Sequence, residues 1–318
     1  MIARALTALT IAGSDSGGGA GVQADLKTFA ALGVHGASAV TALTAQNTRG
    51  VRAIHVAPAA IVRAQIEAVL EDFDVRAIKI GMLGSVEVVA AAADALWAAR
   101  TLPPPLTHPL PASGERGGAA PSSPLPVHGE RMGEGPGDWP PASGAAKRPF
   151  IVYDPVMIAS SGDPLAGAGF VAAVKARLLP LIDCLTPNLA EAAALLGAPI
   201  ATSEDEMTEQ GRALLALGPR AVLMKGGHLA GDEAVDLLVT TEGARRFAAP
   251  RLASANLHGT GCTLSSAIAA HVALGADLAE AVAAAKDFVG AAIERGGEIA
   301  LGAGPGPLIQ IPLAVSRG

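Results

Sequence analysis

The sequence predicts an α/β fold built on a mostly parallel sheet, and three observations point to it. Short apolar runs alternate with amphipathic segments of helical period, the order expected when helices connect parallel strands. The first apolar run ends in glycines at residues 17–19 and 21 and leads into a helical pattern, which is a typical opening of nucleotide-binding folds. Half of the 318 residues are hydrophobic, which is enough for one large core.

Each element is predicted from its apolar period and from the residues that start or stop it. The predicted strands are residues 5–12, 36–43, 76–80, 150–153, 182–185 and 221–224, with a hairpin at 235–239 and 244–248. The predicted helices are residues 22–32, 58–73, 86–99, 169–179, one opening at 186–191, and then 207–217, 263–274 and 278–295. Pro58 begins the second helix, because proline is tolerated in a first helical turn. Residues 49–56 form either a further strand or a flap over a site.

One segment breaks this alternation. Residues 101–149 are rich in Pro, Gly, Ser and Ala without an apolar period, which predicts disorder. Within them, PLPASGERGG at 109–118 returns as PLPVHGERMG at 124–133. We therefore expect a single domain over residues 1–318, interrupted by a duplicated insertion. Because the insertion joins a helix to the next strand, it should lie at the amino edge of the sheet, opposite a ligand crevice.

Composition limits the classes of function. A net charge of −6 with no basic stripe argues against a nucleic-acid surface, so a small molecule is the expected partner. Two cysteines are too few for a disulfide framework, which indicates a reducing, cytoplasmic location. We expect residues 5–12 to be a strand and not an export signal, since Asp15 and glycines follow. No uncharged apolar segment reaches about 18 residues, so a membrane span is not expected.

The stretch Asn256 to Ser266 is the most informative part of the chain. Gly259 and Gly261 lie where a polar loop gives way to a long apolar run, so a helix should begin there. First-turn amides have no intrahelical partners and carry the positive end of the helix dipole, which favours binding of a phosphate. A thiolate is also favoured at a helix N-terminus, so Cys262 is a candidate base. The alternative is a glycine loop capped by Thr260 with a buried cysteine.

Further polar residues collect at predicted strand ends: Asp25, Gln46, Asp154, Asn188, Glu191 and Lys225. Phosphoryl transfer requires a metal held by carboxylates, a cation for the terminal phosphate, an anion hole and an acceptor for a proton. Asp154 and Glu191 suit Mg²⁺, which prefers oxygen ligands, and Lys225 beside two glycines suits a phosphate. Gln46 can donate and accept at the edge of an aminopyrimidine. Alternatively, the acids are helix caps, Lys225 is a surface residue and Gln46 is an ordinary loop residue.

A dinucleotide-binding site is disfavoured. Residues 19–24 match the G-x-G-x-x-A pattern, but no acidic residue occurs between Leu26 and Ile66, where a ribose-binding acid is required.

Seven motifs, in order, resemble those of the hydroxymethylpyrimidine/phosphomethylpyrimidine kinases of thiamine biosynthesis, which are members of the ribokinase-like superfamily. They are GSD at 13–15 with GAGVQAD at 19–25, TALTAQNT at 41–48, KIGML at 79–83, DPVM at 154–157, TPNLAEA at 186–192, MKGGH at 224–228 and HGTGC at 258–262. They span nearly the whole chain outside the insertion.

The resemblance implies a three-layer α/β/α fold with a small strand flap near the active site. It also implies two successive ATP-dependent phosphorylations of 4-amino-5-hydroxymethyl-2-methylpyrimidine, to the monophosphate and then the diphosphate, by a homodimer. The implied site comprises Cys262 as base, Gly259, Thr260 and Gly261 around the phosphate, Gln46, Asp25, Met82 and Gly13 at the pyrimidine, Lys225 and Asn188 at ATP, and Glu191 and Asp154 at Mg²⁺. Two alternatives stay open, a pyridoxal kinase on the same scaffold and a non-catalytic pyrimidine- or nucleotide-binding regulator.

Overall fold

The computed structural model describes residues 5–101, 148–157, 168–227, 229–297 and 299–314. The chain divides into two compact units, one comprising Met1–Leu102 with Lys147–Gly318 and the other comprising Pro103–Ala146. The second unit lies outside the described residues, as does almost all of the predicted insertion at 101–149 and also His228. The disorder predicted for the insertion therefore stays a prediction.

The described residues form nine strands and eight α-helices in the predicted alternation. The strands are β1 (Thr7–Asp15), β2 (His35–Asn47), β3 (Gly50–Val56), β4 (Val75–Ile80), β5 (Phe150–Tyr153), β6 (Cys184–Leu185), β7 (Ala221–Lys225), β8 (Glu233–Thr240) and β9 (Gly243–Pro250). The helices are α1 (Gly21–Ala31), α2 (Ala59–Asp72), α3 (Val86–Thr101), α4 (Phe170–Ala173), α5 (Leu189–Leu196), α6 (Glu204–Leu215), α7 (Thr260–Ala273) and α8 (Leu278–Gly297). None of the helices in the described part of the chain has the length and apolar character needed to cross a membrane.

All nine strands join one sheet in the order β3-β2-β1-β4-β5-β6-β7-β8-β9. Six strands that are neighbours in the sheet, β2, β1, β4, β5, β6 and β7, pair in parallel, while β3, β8 and β9 pair antiparallel. The mostly parallel sheet is therefore confirmed, and residues 49–56 belong to it as an edge strand. The chain leaves β1 toward β2 on one side and later returns to β4 on the other. Such a reversal opens a crevice at the carboxyl ends of the strands.

The predicted three layers follow from the alternation of side chains along each strand. Leu9 and Ile11 point to one face of the sheet and pack with Val62 and Ile66 of α2, in a core that also includes α3 to α6. Ala8, between them in sequence, points to the other face, where α1, α7 and α8 form a second core. Each fully buried leucine or isoleucine contributes about 1.5–3 kcal/mol to folding.

Two helices differ from the prediction for identifiable reasons. The segment predicted at 169–179 is α-helical only over Phe170–Ala173, continues as a π turn over Val174–Leu178 and ends as a 3-10 turn over Leu179–Leu181. Pro180 has no N–H and its ring would clash with the carbonyl four residues earlier, so a regular α-helix cannot continue through it. Helix α6 begins three residues before the prediction, because the Glu206 N–H donates to the Ser203 side chain and caps it.

The ends of the insertion lie at the amino edge of the sheet. Arg100 immediately precedes the insertion and Arg148 lies at its carboxyl end, and both guanidinium groups donate to the carboxylate of Asp183, which immediately precedes β6. Asp183 is buried and also accepts the N–H of Ile151 at 2.9 Å. One carboxylate thus holds both flanks of the insertion, on the side of the sheet opposite its carboxyl ends.

Candidate active site

A cleft of about 1260 Å³ lies at the carboxyl ends of the parallel strands. The predicted site residues that line it are Gly13, Gln46, Met82, Asp154, Asn188, Glu191, Lys225, Gly259, Thr260, Gly261 and Cys262. The turn between β2 and β3, at residues 47–50, lines it too, so the predicted strand flap corresponds to the end of this hairpin. Fold topology therefore brings together residues that are more than 200 positions apart in sequence.

The loop before α7 has a backbone that only glycine can adopt. Gly259 has φ +85°, and a Cβ there would lie 1.9 Å from the carbonyl oxygen of Gly19. A Cβ on Gly19 would in turn lie 2.6 Å from the His258 ring. The glycine-rich loop after β1 and the loop before α7 are therefore packed directly against each other, backbone to backbone.

The first turn of α7 is available to an anion. Its N-cap, Gly259, provides no side-chain hydrogen bond. Thr260 does not cap the helix, as the alternative reading required, because its hydroxyl donates to the carbonyl of Leu257 at 2.6 Å. The amides of Gly261 and Cys262 thus lie in the first turn of a 14-residue helix whose N-terminus faces the cleft. Amides in this position bind anions well.

A cluster of charged residues lies directly opposite these amides. Lys225 Nζ is 2.5 Å from Asp154 Oδ1 and 3.8 Å from Glu191 Oε2. A Cβ on Gly261 would lie 3.1 Å from Lys225 Nζ and 3.3 Å from Asp154 Oδ2. The ammonium group and the helix N-terminus therefore flank one small volume, which suits the terminal phosphate of a nucleotide.

Asn188 and Glu191 also form the N-terminal cap of α5. The Glu191 N–H donates to Asn188 Oδ1 at 2.9 Å, and the Asn188 N–H donates to Glu191 Oε2 at 2.7 Å. This reciprocal pair is a capping box. The cap fixes both side chains beside the cleft. Of the two carboxylate oxygens of Glu191, only Oε2 takes part in the cap. Burial raises the pKa of Glu191 to about 7, with Lys225 lowering it and Asp154 raising it.

The charge state of Cys262 is determined mainly by burial. A helix N-terminus favours a thiolate, but burial is the largest effect here and raises the pKa of Cys262 to about 11. Lys79 lowers this pKa, Asp25 and Asp154 raise it, and the N–H of Gly21 donates to the sulfur and lowers it. Desolvation thus exceeds the favourable contributions, and the resting thiol is neutral at pH 7.

Asp25 is the one predicted site residue that does not line the cleft. Its side chain is fully buried behind the cleft wall, and its two oxygens accept from Thr10, Ser266 and Lys79. Every contact of its carboxylate is therefore with protein groups. The contact between Asp25 and a pyrimidine that the resemblance implies stays a prediction, and it would require this side chain to leave its buried position.

The end of the cleft at Gln46 contains two residues that the sequence analysis did not assign, Asp15 and His258. Gln46 Nε2 lies 3.3 Å from His258 Nε2, which lies 3.1 Å from Asp15 Oδ2. Asp15 also accepts the backbone N–H groups of residues 17, 19 and 20, and these contacts and His258 lower its pKa despite burial. The only signal in the sequence was an acid at the end of β1 followed by glycines. Asp15 and His258 thus support both Gln46 and the glycine loop.

Comparison with known proteins agrees with this geometry. The family model described as phosphomethylpyrimidine kinase matches residues 15–115 and 143–308, so its match is interrupted within the insertion. A relative from Rhizobium meliloti (strain 1021), named hydroxymethylpyrimidine/phosphomethylpyrimidine kinase, is 47% identical over 301 residues, which are 95% of this chain and 95% of the relative.

Two solved structures are similar as well. A phosphomethylpyrimidine kinase from Clostridium difficile 630 has a TM-score of 0.67 and 38% identity, covering 90% of this chain and 99% of its own. A pyridoxal kinase from Bacillus subtilis, solved as an ADP complex, has a TM-score of 0.74 and 30% identity, covering 97% of this chain and 98% of its own. With the model match and the identity to the Rhizobium relative, these likenesses show that the chain belongs to the phosphomethylpyrimidine kinase family.

Proposed function

We propose that this chain is an ATP-dependent kinase that phosphorylates 4-amino-5-hydroxymethyl-2-methylpyrimidine to its monophosphate and then to its diphosphate, for thiamine diphosphate biosynthesis. The observation that carries the proposal is the position of Cys262 and the glycine amides, in one cleft with Lys225 on one side and Gln46 on the other. A phosphoryl donor and an aminopyrimidine acceptor can therefore meet at the N-terminus of α7.

The acceptor is oriented by the residues around Gln46. Its amide can pair with the amino group and the adjacent ring nitrogen of a pyrimidine, since it offers both a donor and an acceptor. Met82 and Gly13 are in contact range, because a Cβ on Gly13 would lie 3.3 Å from the Met82 sulfur. They give the ring an apolar surface and a close backbone. The hydroxymethyl group then points toward Cys262.

In the first phosphorylation, the hydroxymethyl oxygen forms a bond to the γ-phosphorus of ATP and the bond from that phosphorus to the β,γ-bridging oxygen breaks. The electron pair of the broken bond leaves with ADP, and the thiolate form of Cys262 takes the hydroxyl proton. The amides of Gly261 and Cys262 and the ammonium of Lys225 stabilise the charge on the transferring group. In the second phosphorylation the nucleophile is a phosphate oxygen that is already anionic, so a base is not needed.

The residues present fit a Mg²⁺ ion bound with the nucleotide. Within the described part of the chain no three His, Cys, Asp or Glu side chains form a metal cluster. Mg²⁺ at kinase sites, however, uses only one or two carboxylates together with phosphates and waters. When Glu191 is ionised, Asp154 and Glu191 share the single ammonium of Lys225, so one negative charge is left over for a cation, and a bound cation would favour this ionised form. When bound, the ion would neutralise phosphate charge during transfer.

The direct test is incubation of the purified protein with ATP, Mg²⁺ and the pyrimidine alcohol, followed by mass spectrometry of the products. The proposal expects mass increases of one and then two phosphoryl groups, and turnover of ATP that depends on the pyrimidine. Pyridoxal is offered in a parallel and in a competing reaction. Preferential phosphorylation of pyridoxal would assign the chain to the alternative substrate, and absence of any phosphorylated product would favour a binding regulator.

Two further parts of the proposal concern the location and the assembly of the protein. We expect a cytoplasmic homodimer, in line with two free cysteines, Cys184 and Cys262, and with the implied family assembly. Sedimentation equilibrium measures the assembly directly, and a concentration-independent monomer mass would exclude the dimer.

A further inference from the structure

Lys79 is fully buried in a strand where an apolar residue would be expected. It lies in β4 between Ile78 and Ile80, whose side chains belong to the core on the other face of the sheet. Alternation therefore directs Lys79 to the face covered by α1 and α7. Asp25 of α1 is there, and its two oxygens each lie 2.9 Å from Lys79 Nζ.

This ion pair lies directly beneath Cys262. Ser266 is one helical turn after Cys262 in α7, and its hydroxyl donates to Asp25 Oδ1 at 2.6 Å. Residues four apart lie on the same side of a helix, so Asp25 and Lys79 contact the side of α7 that carries the thiol. Thr10 donates to the other oxygen of Asp25 at 2.6 Å, which completes a fixed network around the carboxylate.

A buried ion pair is expensive, because both groups lose hydration, and a pair of apolar residues of the same volume often serves stability equally well. The Lys79–Asp25 pair therefore calls for a reason beyond stability. Its surroundings provide one, since the charged side chains that face Cys262 from other elements are Lys79, Asp25, Asp154 and Lys225. Lys225 already pairs with Asp154, on the side of the cleft where the proposed function places the donor phosphate.

We propose that Lys79, held in place by Asp25, is a positioning residue for the reaction, a fixed cation that stabilises the thiolate of Cys262 as this residue takes the proton of the acceptor alcohol. The inference rests on the base role of Cys262 in the proposed function. Asp25 acts one step further back, since it holds the ammonium in a single position and keeps it charged. The same network explains why Asp25 belongs to the site without touching a substrate.

The direction of the effect on the Cys262 thiolate follows from the positions of Lys79 and Asp25 relative to the sulfur. Among the charges around Cys262, Lys79 has the largest influence on the thiol and lowers its pKa, while Asp25 has a smaller influence in the opposite sense. Neutralising the pair as a whole therefore removes net stabilisation of the thiolate. Burial alone would lower the pKa of Lys79, but the charge of Asp25, with those of Cys262 and Asp154, raises it above its ordinary value and keeps the ammonium protonated.

The experiment measures the thiolate directly and uses the folded full-length protein. Variants Lys79→Met and Asp25→Asn/Lys79→Met are alkylated with iodoacetamide between pH 7 and pH 10, and modification of Cys262 is followed by peptide mass spectrometry. The double variant keeps hydrogen-bonding groups for Thr10 and Ser266 without leaving a buried charge. We expect Cys262 to react at least about threefold more slowly at pH 8 in both variants, the effect of about half a pKa unit.

Arg148→Met is the matched control, because it also removes a cation that contacts a buried carboxylate, but at the opposite edge of the sheet. It should leave the alkylation rate of Cys262 unchanged. Thermal unfolding identifies which variants are folded, and the double variant carries the test if the single one is not. An unchanged alkylation rate of Cys262 in the folded double variant would overturn the proposal.

Turnover separates failure of this inference from failure of the proposed function. If Lys79 acts through Cys262, Lys79→Met slows the first phosphorylation more than the second, and adds no further loss in a Cys262→Ala background. A further loss in that background would overturn the inference. If Cys262→Ala leaves the first phosphorylation intact, the base role itself fails, while the alkylation rates still decide whether Lys79 stabilises the thiolate.

Discussion

The state of the Cys262 thiol leads to a quantitative prediction for the pH dependence of the two phosphorylations. With a pKa of about 11 in the free protein, about one molecule in 10⁴ carries the thiolate at pH 7. That fraction increases tenfold for each pH unit. If the thiolate is the base, kcat/KM for the first phosphorylation should therefore rise about tenfold per unit from pH 7 to pH 10. The second phosphorylation should rise much less, since a phosphate monoester is already largely dianionic above a pKa of about 6.

Quenched-flow assays that separate the alcohol, the monophosphate and the diphosphate give both rates on one sample. Cys262→Ala should lower the first rate by about 10²- to 10⁴-fold, the usual contribution of a general base, and flatten its pH profile. Cys184→Ala is the matched control, because Cys184 is buried in the sheet and should leave both profiles unchanged. A flat wild-type profile for the first step, or equal losses in both steps, would refute a base role for the thiol.

Three further predictions concern the loop, the cap and the insertion. Gly259→Ala should reduce kcat by about 10²-fold or more in a steady-state assay, because its Cβ would meet the Gly19 carbonyl and displace the loop. A loss of this size is typical of removing an oxyanion donor. Gly275→Ala is the control, since Gly275 also has a positive φ but a Cβ there would have no atom within 4 Å, and this variant should fold and retain activity. The folded protein holds a proton on Glu191 up to about pH 7, whereas the unfolded chain releases it near pH 4.5, so stability from this group is present at low pH and lost as pH rises through 7. Glu191→Gln should therefore raise the unfolding temperature at pH 8 and have little effect at pH 5 in the presence of a chelator, and an equal change at both values would contradict the assignment. Replacing residues 103–146 by a short glycine–serine linker should leave kcat within about twofold, because closure entropy depends only weakly on loop length and Asp183 already holds Arg100 and Arg148 together. A folded deletion variant without turnover would show that the insertion takes part in catalysis.

The sequence was sufficient for the layout of the fold because its pattern is repetitive. Alternation of apolar runs and amphipathic segments determines the elements, and parallel strands bring their carboxyl ends together. Polar residues after strands, such as Asp154 after β5 and Lys225 at the end of β7, could therefore be assigned to one cleft from the sequence alone. Local rules also predicted the start of α5 at Asn188, where a capping box forms.

What the sequence did not reveal depends on contacts between distant residues. Asp15 and His258 are 243 positions apart, and no local pattern links them. A helix N-terminus favours the thiolate of Cys262, but this thiol is half-buried and desolvation raises its pKa instead. The sequence around Lys79 is informative by itself. A lysine between two isoleucines in a central strand must be paired, and its partner is Asp25, 54 positions away.

The arrangement of charges explains why two lysines are needed where phosphate chemistry alone would suggest one. Lys225 lies against the loop at Gly261 and pairs with Asp154, on the side of the cleft suited to the donor phosphate. Lys79 pairs with Asp25 beneath α7, on the side of the base. Each ammonium is held by a carboxylate before any substrate binds, so neither has to reorient as charge develops during transfer. A single mobile lysine would have to serve the phosphate and the thiolate in turn, whereas two fixed ones stabilise both at the same moment.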